Sequence, residues 1–284
     1  MEHAIRALPS LVGKTAAITG ATGGIGFAIA TRFAQEGASV VLLGRSKAKL
    51  ERALSGIQSV KPFPHVRLAA LVARSGTPTS SSASGISQDA DGKDRDPHRQ
   101  IFSSAVLDVT SFEQWKDVAK EHDKIDILVN CAGITQKSLL VKTEPSEVMD
   151  IVNTNLTGAI WGCKAVGKPM LRRKSGCIIN VSSLLAVKAH SGSAIYGATK
   201  AALLGLTGTL AIEYGHFGVR VNAIVPGYIL TPMTTEIETD ILKRAIPLHR
   251  FGLPQEVADA AVFLANNTYA NNCILNVDGG LSAG

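Results

Sequence analysis

Apolar residues along this chain follow two rhythms that take turns. Short, nearly unbroken runs such as Thr15-Ala-Ala-Ile-Thr19, Ser39-Val-Val-Leu-Leu43 and Ile125-Asp-Ile-Leu-Val-Asn130 have the character of strands buried on both faces. Between them lie longer stretches whose apolar positions recur at the helical period. Read in order, the pattern predicts strands at 15–19, 39–43, 105–108, 125–130, 176–183, 219–225 and 273–277. It predicts helices from Phe27, over 47–60, 110–122, 146–174, 194–214 and 254–264. Gly37 closes the first helix, and Thr110-Ser-Phe-Glu113 reads as a capping box. Strands alternating with helices imply an α/β fold, a doubly wound seven-stranded parallel sheet covered on both faces.

The rhythm fails over residues 61–103. Pro62 and Pro64 open the break, and an apolar patch follows from Val66 to Ala73. Residues 75–99 are first rich in Ser, Gly, Thr and Pro and then charged. That composition predicts a disordered insertion. Alternation resumes at once afterwards, so the break reads as an insertion within one domain spanning 1–284. A segment from Pro226-Gly227 to about Leu248 reads as mobile.

Composition narrows the class. The chain has 284 residues, 45% hydrophobic and 18% charged, enough apolar material for a sizeable core. No apolar run reaches the roughly 18 residues of a membrane span. Residues 1–10 are short and weakly apolar for a secretory signal, and Glu2 offsets His3 and Arg6 for a mitochondrial one. The four cysteines lack any C-x-x-C pair, which fits reduced thiols inside a cell. The histidines show no metal-ligand spacing, so no metal is expected. A net charge of +6 comes without the basic, aromatic-interleaved stripe of nucleic-acid binding.

The chemistry gathers at strand ends. The first strand runs into Gly20-Ala-Thr22-Gly-Gly24-Ile25-Gly26 and then a helix. Glycines there let backbone approach a pyrophosphate, and the helix N-terminus offers free N–H groups. The second strand ends in Gly44-Arg45, where an arginine suits a 2′-phosphate and points to NADP over NAD. Tyr196 and Lys200 stand four apart on one helix face. A lysine cation beside a phenol is expected to lower its pKa from about 10. Taken alone, such a pair is ordinary helix surface. However, Gly20, Asn130, Ser183 and Pro226 all fall at carboxyl ends of strands, where ligands of such sheets sit.

Thr19-Gly-x3-Gly24-x-Gly26, Asn130-x-Ala132-Gly133, Asn155, Ser183, Tyr196-x3-Lys200 and Pro226-Gly227 together resemble the short-chain dehydrogenase/reductase family, over nearly all the chain except 61–103. The resemblance implies a single-domain Rossmann fold, NADP(H) as cofactor, and a homotetramer or other oligomer. It implies a catalytic tetrad of Asn155, Ser183, Tyr196 and Lys200. Cofactor contacts would come from Gly20, Thr22, Gly24, Ile25, Gly26, Arg45, Asp108, Val109, Asn130, Ala132, Gly133, Tyr196, Lys200, Pro226, Gly227, Ile229 and Thr231. Within the family, Asn153-Thr-Asn155-Leu-Thr-Gly, Arg250-Phe-Gly-Leu-Pro254 and Asn276-Val-Asp278-Gly-Gly280 look like the 3-oxoacyl-(acyl-carrier-protein) reductases. Asn130-Cys-Ala-Gly-Ile-Thr-Gln-Lys-Ser-Leu139 and the insertion resemble the fungal mitochondrial type. Those features imply fatty-acid synthesis in the mitochondrial matrix, with a cytoplasmic protein as the alternative. The alternatives to a carrier-bound substrate are free small ketones or quinones, and a non-catalytic NADPH-binding subunit. An acidic carrier would dock on Arg172, Arg173 and Lys174, or on Lys137 and Lys188; the first three equally suit the end of a helix dipole. Thr22 and Gly23 stand where NADP-using members often carry a basic residue, so cofactor preference rests on Arg45. Cys131 replaces the second asparagine of the common Asn-Asn-Ala-Gly, and nothing near it in sequence activates it as a nucleophile.

Overall fold

The computed structural model describes residues 11–64, 66, 99–122, 124–237 and 239–283. Its strands are β1 (Thr15–Thr19), β2 (Ser39–Gly44), β3 (Phe102–Val106), β4 (Ile127–Asn130), β5 (Gly176–Val181), β6 (Val219–Pro226) and β7 (Ile274–Val277). They form one sheet in the order β3-β2-β1-β4-β5-β6-β7, every pair parallel. The described helices are α1 (Gly24–Gln35), α2 (Lys47–Gln58), α3 (Phe112–Glu121), α4 (Pro145–Val152), α5 (Gly158–Arg173), α6 (Ala194–Gly215), α7 (Asp240–Ala245) and α8 (Pro254–Asn266).

Successive strand residues point to opposite faces, and the core divides accordingly. Ile18, Leu42, Val129 and Ile179 pack with Phe33 of α1 and Val257 of α8 on one side. Ala17, Leu43, Leu128 and Ile178 pack with Trp115 of α3, Met170 of α5 and Leu210 of α6 on the other. Both faces are thus buried, which is why the strands read as continuous apolar runs instead of alternating ones. Strand order reverses between β1 and β4, opening a crevice at their carboxyl ends.

Three details differ from the sequence reading. β3 begins at Phe102, inside the expected insertion, and ends before Leu107. As one of the sheet's two edge strands it is only partly buried, so Ser103 and Ser104 are tolerated and the apolar signal is weak. The low-complexity stretch at 75–99 lies, up to residue 98, outside the described residues. Helix α3 is capped by Ser111, whose hydroxyl accepts from Gln114 N–H, while the Thr110 hydroxyl donates to Asp108. The segment after Pro226, expected to be mobile, carries α7, whose cap is Thr239.

The expected helix at 146–174 is interrupted. Residues Asn153–Thr157 make one π-helical turn between α4 and α5. The widened turn accompanies the Asn155 side chain, which accepts from Ile134 N–H (2.8 Å) and donates to Ile134 C=O (2.9 Å). Such turns concentrate at functional sites. Helix α6 is long and apolar enough to cross a membrane. Its stripe Lys200, Leu203, Thr207, Leu210 and Ala211 is buried inside the protein.

Candidate active site

A cleft of about 390 Å³ opens at the carboxyl ends of β1, β2, β4 and β5. One wall is the glycine turn. Gly20 and Gly24 have φ of +65° and +44°, the left-handed region that L side chains avoid. A Cβ on Gly20 would stand 3.0 Å from the Ala132 backbone, and one on Gly26 would stand 2.4 Å from the Gly20 carbonyl oxygen. The turn therefore packs flat against the β4 exit and exposes its own backbone. Helix α1 begins there with no side-chain cap and no acidic residue in its first turn. Its positive end and free N–H groups face the cleft, an arrangement suited to an anion.

The second wall comes from the loops after β2 and β3. Gly44, exposed Arg45, Leu107, Asp108 and Val109 line it. The Val109 carbonyl is fixed by the Trp115 indole N–H (3.1 Å), and the Val109 side chain lies where a Cβ on Gly158 would be, 2.8 Å away. Across the crevice Thr19 joins β1 to β4, its hydroxyl accepting from Cys131 and Ala132 N–H at 2.9 and 3.0 Å. Thr231, Pro232 and Met233 close the cleft from the β6 side. The Thr231 methyl lies 2.9 Å from where a Cβ on Gly24 would stand.

At the inner end sit the ionisable groups. Lys200 is buried, with Nζ donating to Val181 C=O (2.9 Å) and lying 5.7 Å from the Tyr196 ring centre. Gly133 keeps this corner open: a Cβ there would stand 3.3 Å from Asn155 Oδ1 and 3.4 Å from Lys200 Nζ. Asn155 also donates to Thr199 Oγ1, which donates to the Tyr196 carbonyl. Burial draws Lys200 down to about 8, opposed by its neighbour Cys131. The same burial raises the Tyr196 phenol above its ordinary value, and a hydrogen bond with Ser183 opposes that rise. This reverses the expected direction for Tyr196: desolvation outweighs any charge, and the phenol stays protonated near neutral pH. Cys131 is pushed up to about 11 by burial, with Lys200 opposing, so its thiol is neutral and unreactive there.

Gly20, Thr22, Gly24, Ile25, Gly26, Arg45, Asp108, Val109, Ala132, Gly133, Tyr196, Lys200 and Thr231 all line the cleft. Asn155 and Ser183 lie just behind it, touching residues that do. Four expected contacts lie elsewhere. The Asn130 side chain turns into the interior and donates to Asn180 Oδ1 (2.9 Å), which continues to Thr207. Pro226 ends β6, buried in the sheet. Gly227 packs on Asp278, and Ile229 belongs to the core. Thr154, Leu107 and Met233 line the cleft without any prior sequence signal, because they are placed there by the π turn and by loops of irregular course. The basic group Arg172, Arg173 and Lys174 ends α5, directly before β5 begins. It therefore lies at the sheet's amino edge, opposite the cleft, where Arg173 donates to Ile125 C=O. Lys137 and Lys188 follow the carboxyl ends of β4 and β5, on the cleft side.

Comparison with known proteins fits this architecture. Residues 87–282 match the family model described as enoyl-(acyl carrier protein) reductase, and residues 14–77 match the short chain dehydrogenase model. A 3-oxoacyl-(acyl-carrier-protein) reductase of Chlamydia trachomatis is 34% identical over 282 residues, covering 96% of this chain and 98% of that protein. Carbonyl reductase family member 4 of Xenopus laevis is 40% identical over 167 residues, covering 59% of this chain and 71% of its own. A solved structure of a candidate NAD(P)-dependent gluconate 5-dehydrogenase from Beutenbergia cavernae, with NADP bound at low occupancy, superposes with a TM-score of 0.78 at 30% identity. It covers 97% of this chain and 99% of that one. With a family model matched over most of its length and full-length relatives above 30% identity, the chain belongs to the short-chain dehydrogenase/reductase family of oxidoreductases.

Proposed function

We propose that this protein reduces 3-oxoacyl thioesters carried on acyl-carrier protein, with NADPH as reductant. The observation that carries the reading is the meeting of Asn155, Ser183, Tyr196 and Lys200 at the closed end of a cleft whose other end is a glycine-lined phosphate cradle. Substrate class is supported by full-length relatives named as 3-oxoacyl-(acyl-carrier-protein) reductases.

The residues present fit the dinucleotide. Side chains at Gly20 or Gly26 would strike backbone, which marks a surface built for close approach. The α1 terminus would hold the pyrophosphate, and Arg45 the 2′-phosphate. The nicotinamide supplies hydride when bound. This chain's own part is proton and position. Ser183 hydrogen-bonds the substrate carbonyl oxygen and stabilises the charge developing there. Tyr196, protonated near neutral pH, gives its proton to that oxygen. Lys200, held by Val181, keeps a cation beside the phenolate left behind. Asn155 ties the β4 loop to the π turn and, through Thr199, fixes the backbone of Tyr196.

NADPH oxidation by the purified protein tests the reading. Acetoacetyl-carrier-protein is run beside acetoacetyl-CoA, a free diketone and an NADH control. The expected result is preference for the carrier-bound thioester with NADPH. Tyr196→Phe is expected to retain NADPH binding and lose turnover by about 10²–10⁴-fold. Near-normal turnover in that variant refutes the assignment. A second reading, reduction of free small ketones, has the carbonyl reductase relatives in its favour. It is chosen if the free diketone is the better substrate.

A further inference from the structure

Helix α6 carries both Tyr196 and Lys200, yet the side chain of its own N-cap does nothing for its first N–H groups. Ser193 makes no side-chain hydrogen bond to the helix. The first N–H groups of a helix have no partner within it, and an unmet buried donor is costly. Here a residue 59 positions away meets them. Gln136 Oε1 accepts from Ile195 N–H (2.8 Å) and from Tyr196 N–H (3.4 Å). These are the second and third helical residues, the pair a conventional cap would serve. The other end of the amide holds the loop after β4. Nε2 donates to Ser138 C=O (2.9 Å) and Thr143 Oγ1 (3.0 Å). Two N–H donors on one side and a carbonyl and a hydroxyl on the other fix which way the amide points. Gln136 is 5% exposed, so water does not replace these bonds.

We infer that Gln136 is a positioning residue, an external cap that sets the first turn of the catalytic helix, and with it Tyr196, while tying that turn to the loop at 136–143. The inference rests on the reductase reading for its kinetics, but not for its structural part. The two ends of the side chain have separable consequences. The acceptor end fixes the backbone that carries the phenol, so its loss acts on kcat. The donor end orders the loop beside the site, so its loss acts on KM for the ketone.

Two substitutions separate them. Gln136→Leu removes both ends. Gln136→Glu keeps an acceptor at a helix N-terminus, where a carboxylate is favoured, but removes the two donations. Amide hydrogen exchange of the full chain without cofactor gives the first readout. Exchange at Ile195 and Tyr196 is expected to be about fivefold faster in Gln136→Leu, as for a lost cap, and unchanged in Gln136→Glu. With acetoacetyl-CoA and NADPH, Gln136→Leu is expected to lose about ten- to a hundredfold in kcat, as misplacement of a reacting group does, with NADPH affinity intact. Gln136→Glu is expected to keep kcat and raise KM for the ketone. Wild-type exchange and kcat in Gln136→Leu overturn the inference, as does an equal kcat loss in both variants. If Gln136→Leu does not fold, Gln136→Glu decides alone, and a lost kcat there overturns the cap. If the wild type reduces no ketone, the reductase reading fails while amide exchange still judges the cap.

Discussion

Adding one methyl group at Gly26 tests whether the glycine turn is as tightly built as it looks. A Cβ there stands 2.4 Å from the Gly20 carbonyl oxygen and 2.8 Å from its carbon. Real Cβ contacts essentially never fall below 3.0 Å, so the two strands of the turn must separate by more than about half an ångström. The obstacle is backbone, with no flexible end to swing away. Gly20 has little freedom to yield, since its φ is +65° and the Ala132 backbone lies on its far side. Overpacking of this kind costs about 1–3 kcal/mol. The gain of alanine over glycine in a helix offsets at most about 1 kcal/mol of it. Gly26→Ala is therefore expected to lower stability by roughly 1–2 kcal/mol, read as a fall in urea midpoint at constant slope. NADPH affinity, read by nucleotide fluorescence, is expected to drop at least about tenfold because the displaced N–H groups no longer converge on one anion. Gly205→Ala is the control. Gly205 is exposed on α6 with nothing within 4 Å of its Cβ position, and the same change there is expected to stabilise by about 0.5–1 kcal/mol. Equal effects at the two sites, or a Gly26→Ala protein with wild-type stability and NADPH affinity, refute the packing argument.

Arg45→Ala is expected to weaken NADPH by about ten- to a hundredfold, the worth of a charged hydrogen bond, and NADH hardly at all; equal losses would remove the 2′-phosphate role. Lys200 gives a pH signature of two opposite slopes. Its folded pKa of about 8 lies below its ordinary 10.5, so between those values the unfolded chain binds more protons and stability rises with pH. The rise attributable to this one group is roughly 3 kcal/mol, and subtracting the curve for Lys200→Met isolates it. Turnover is expected to fall over the same range as the cation is lost. Parallel stability curves for the two proteins would contradict the burial of this charge.

Most of the architecture was legible because both faces of the sheet's interior are covered, so β1, β2, β4, β5 and β6 announce themselves as apolar runs; β7, a half-exposed edge strand, is still apolar enough in Ile274, Leu275 and Val277 to be read. The other edge strand, β3, has Ser103 and Ser104 in it, and its start was hidden in the insertion. Glycine placement and the Tyr196–Lys200 spacing are local features, and the structure puts them at the cleft. What spacing does not carry is side-chain direction. Asn130 sits at a strand end, as expected, but its amide points into the interior. Nor does spacing carry desolvation: a lysine four residues from a tyrosine reads as an acidifying neighbour, whereas burial of both groups dominates. The π turn at Asn155 was invisible because its cause, two hydrogen bonds to Ile134, lies in another part of the chain. Gln136 was missed for the same reason.

The insertion's described flanks have a consequence for how this protein tolerates change. Both are pinned to the turn that joins α1 to β2. Phe63 N–H donates to Gln35 C=O, Val66 is buried against Gly37, and Gln100 donates to the carbonyls of Ala34 and Ala38. Entry and exit thus share one anchorage at the amino edge of the sheet, on the side away from the cleft. Loop length costs only logarithmically once such ends are fixed. A change of length or sequence between these two anchored ends is therefore expected to leave the chemistry at the opposite edge with its geometry intact.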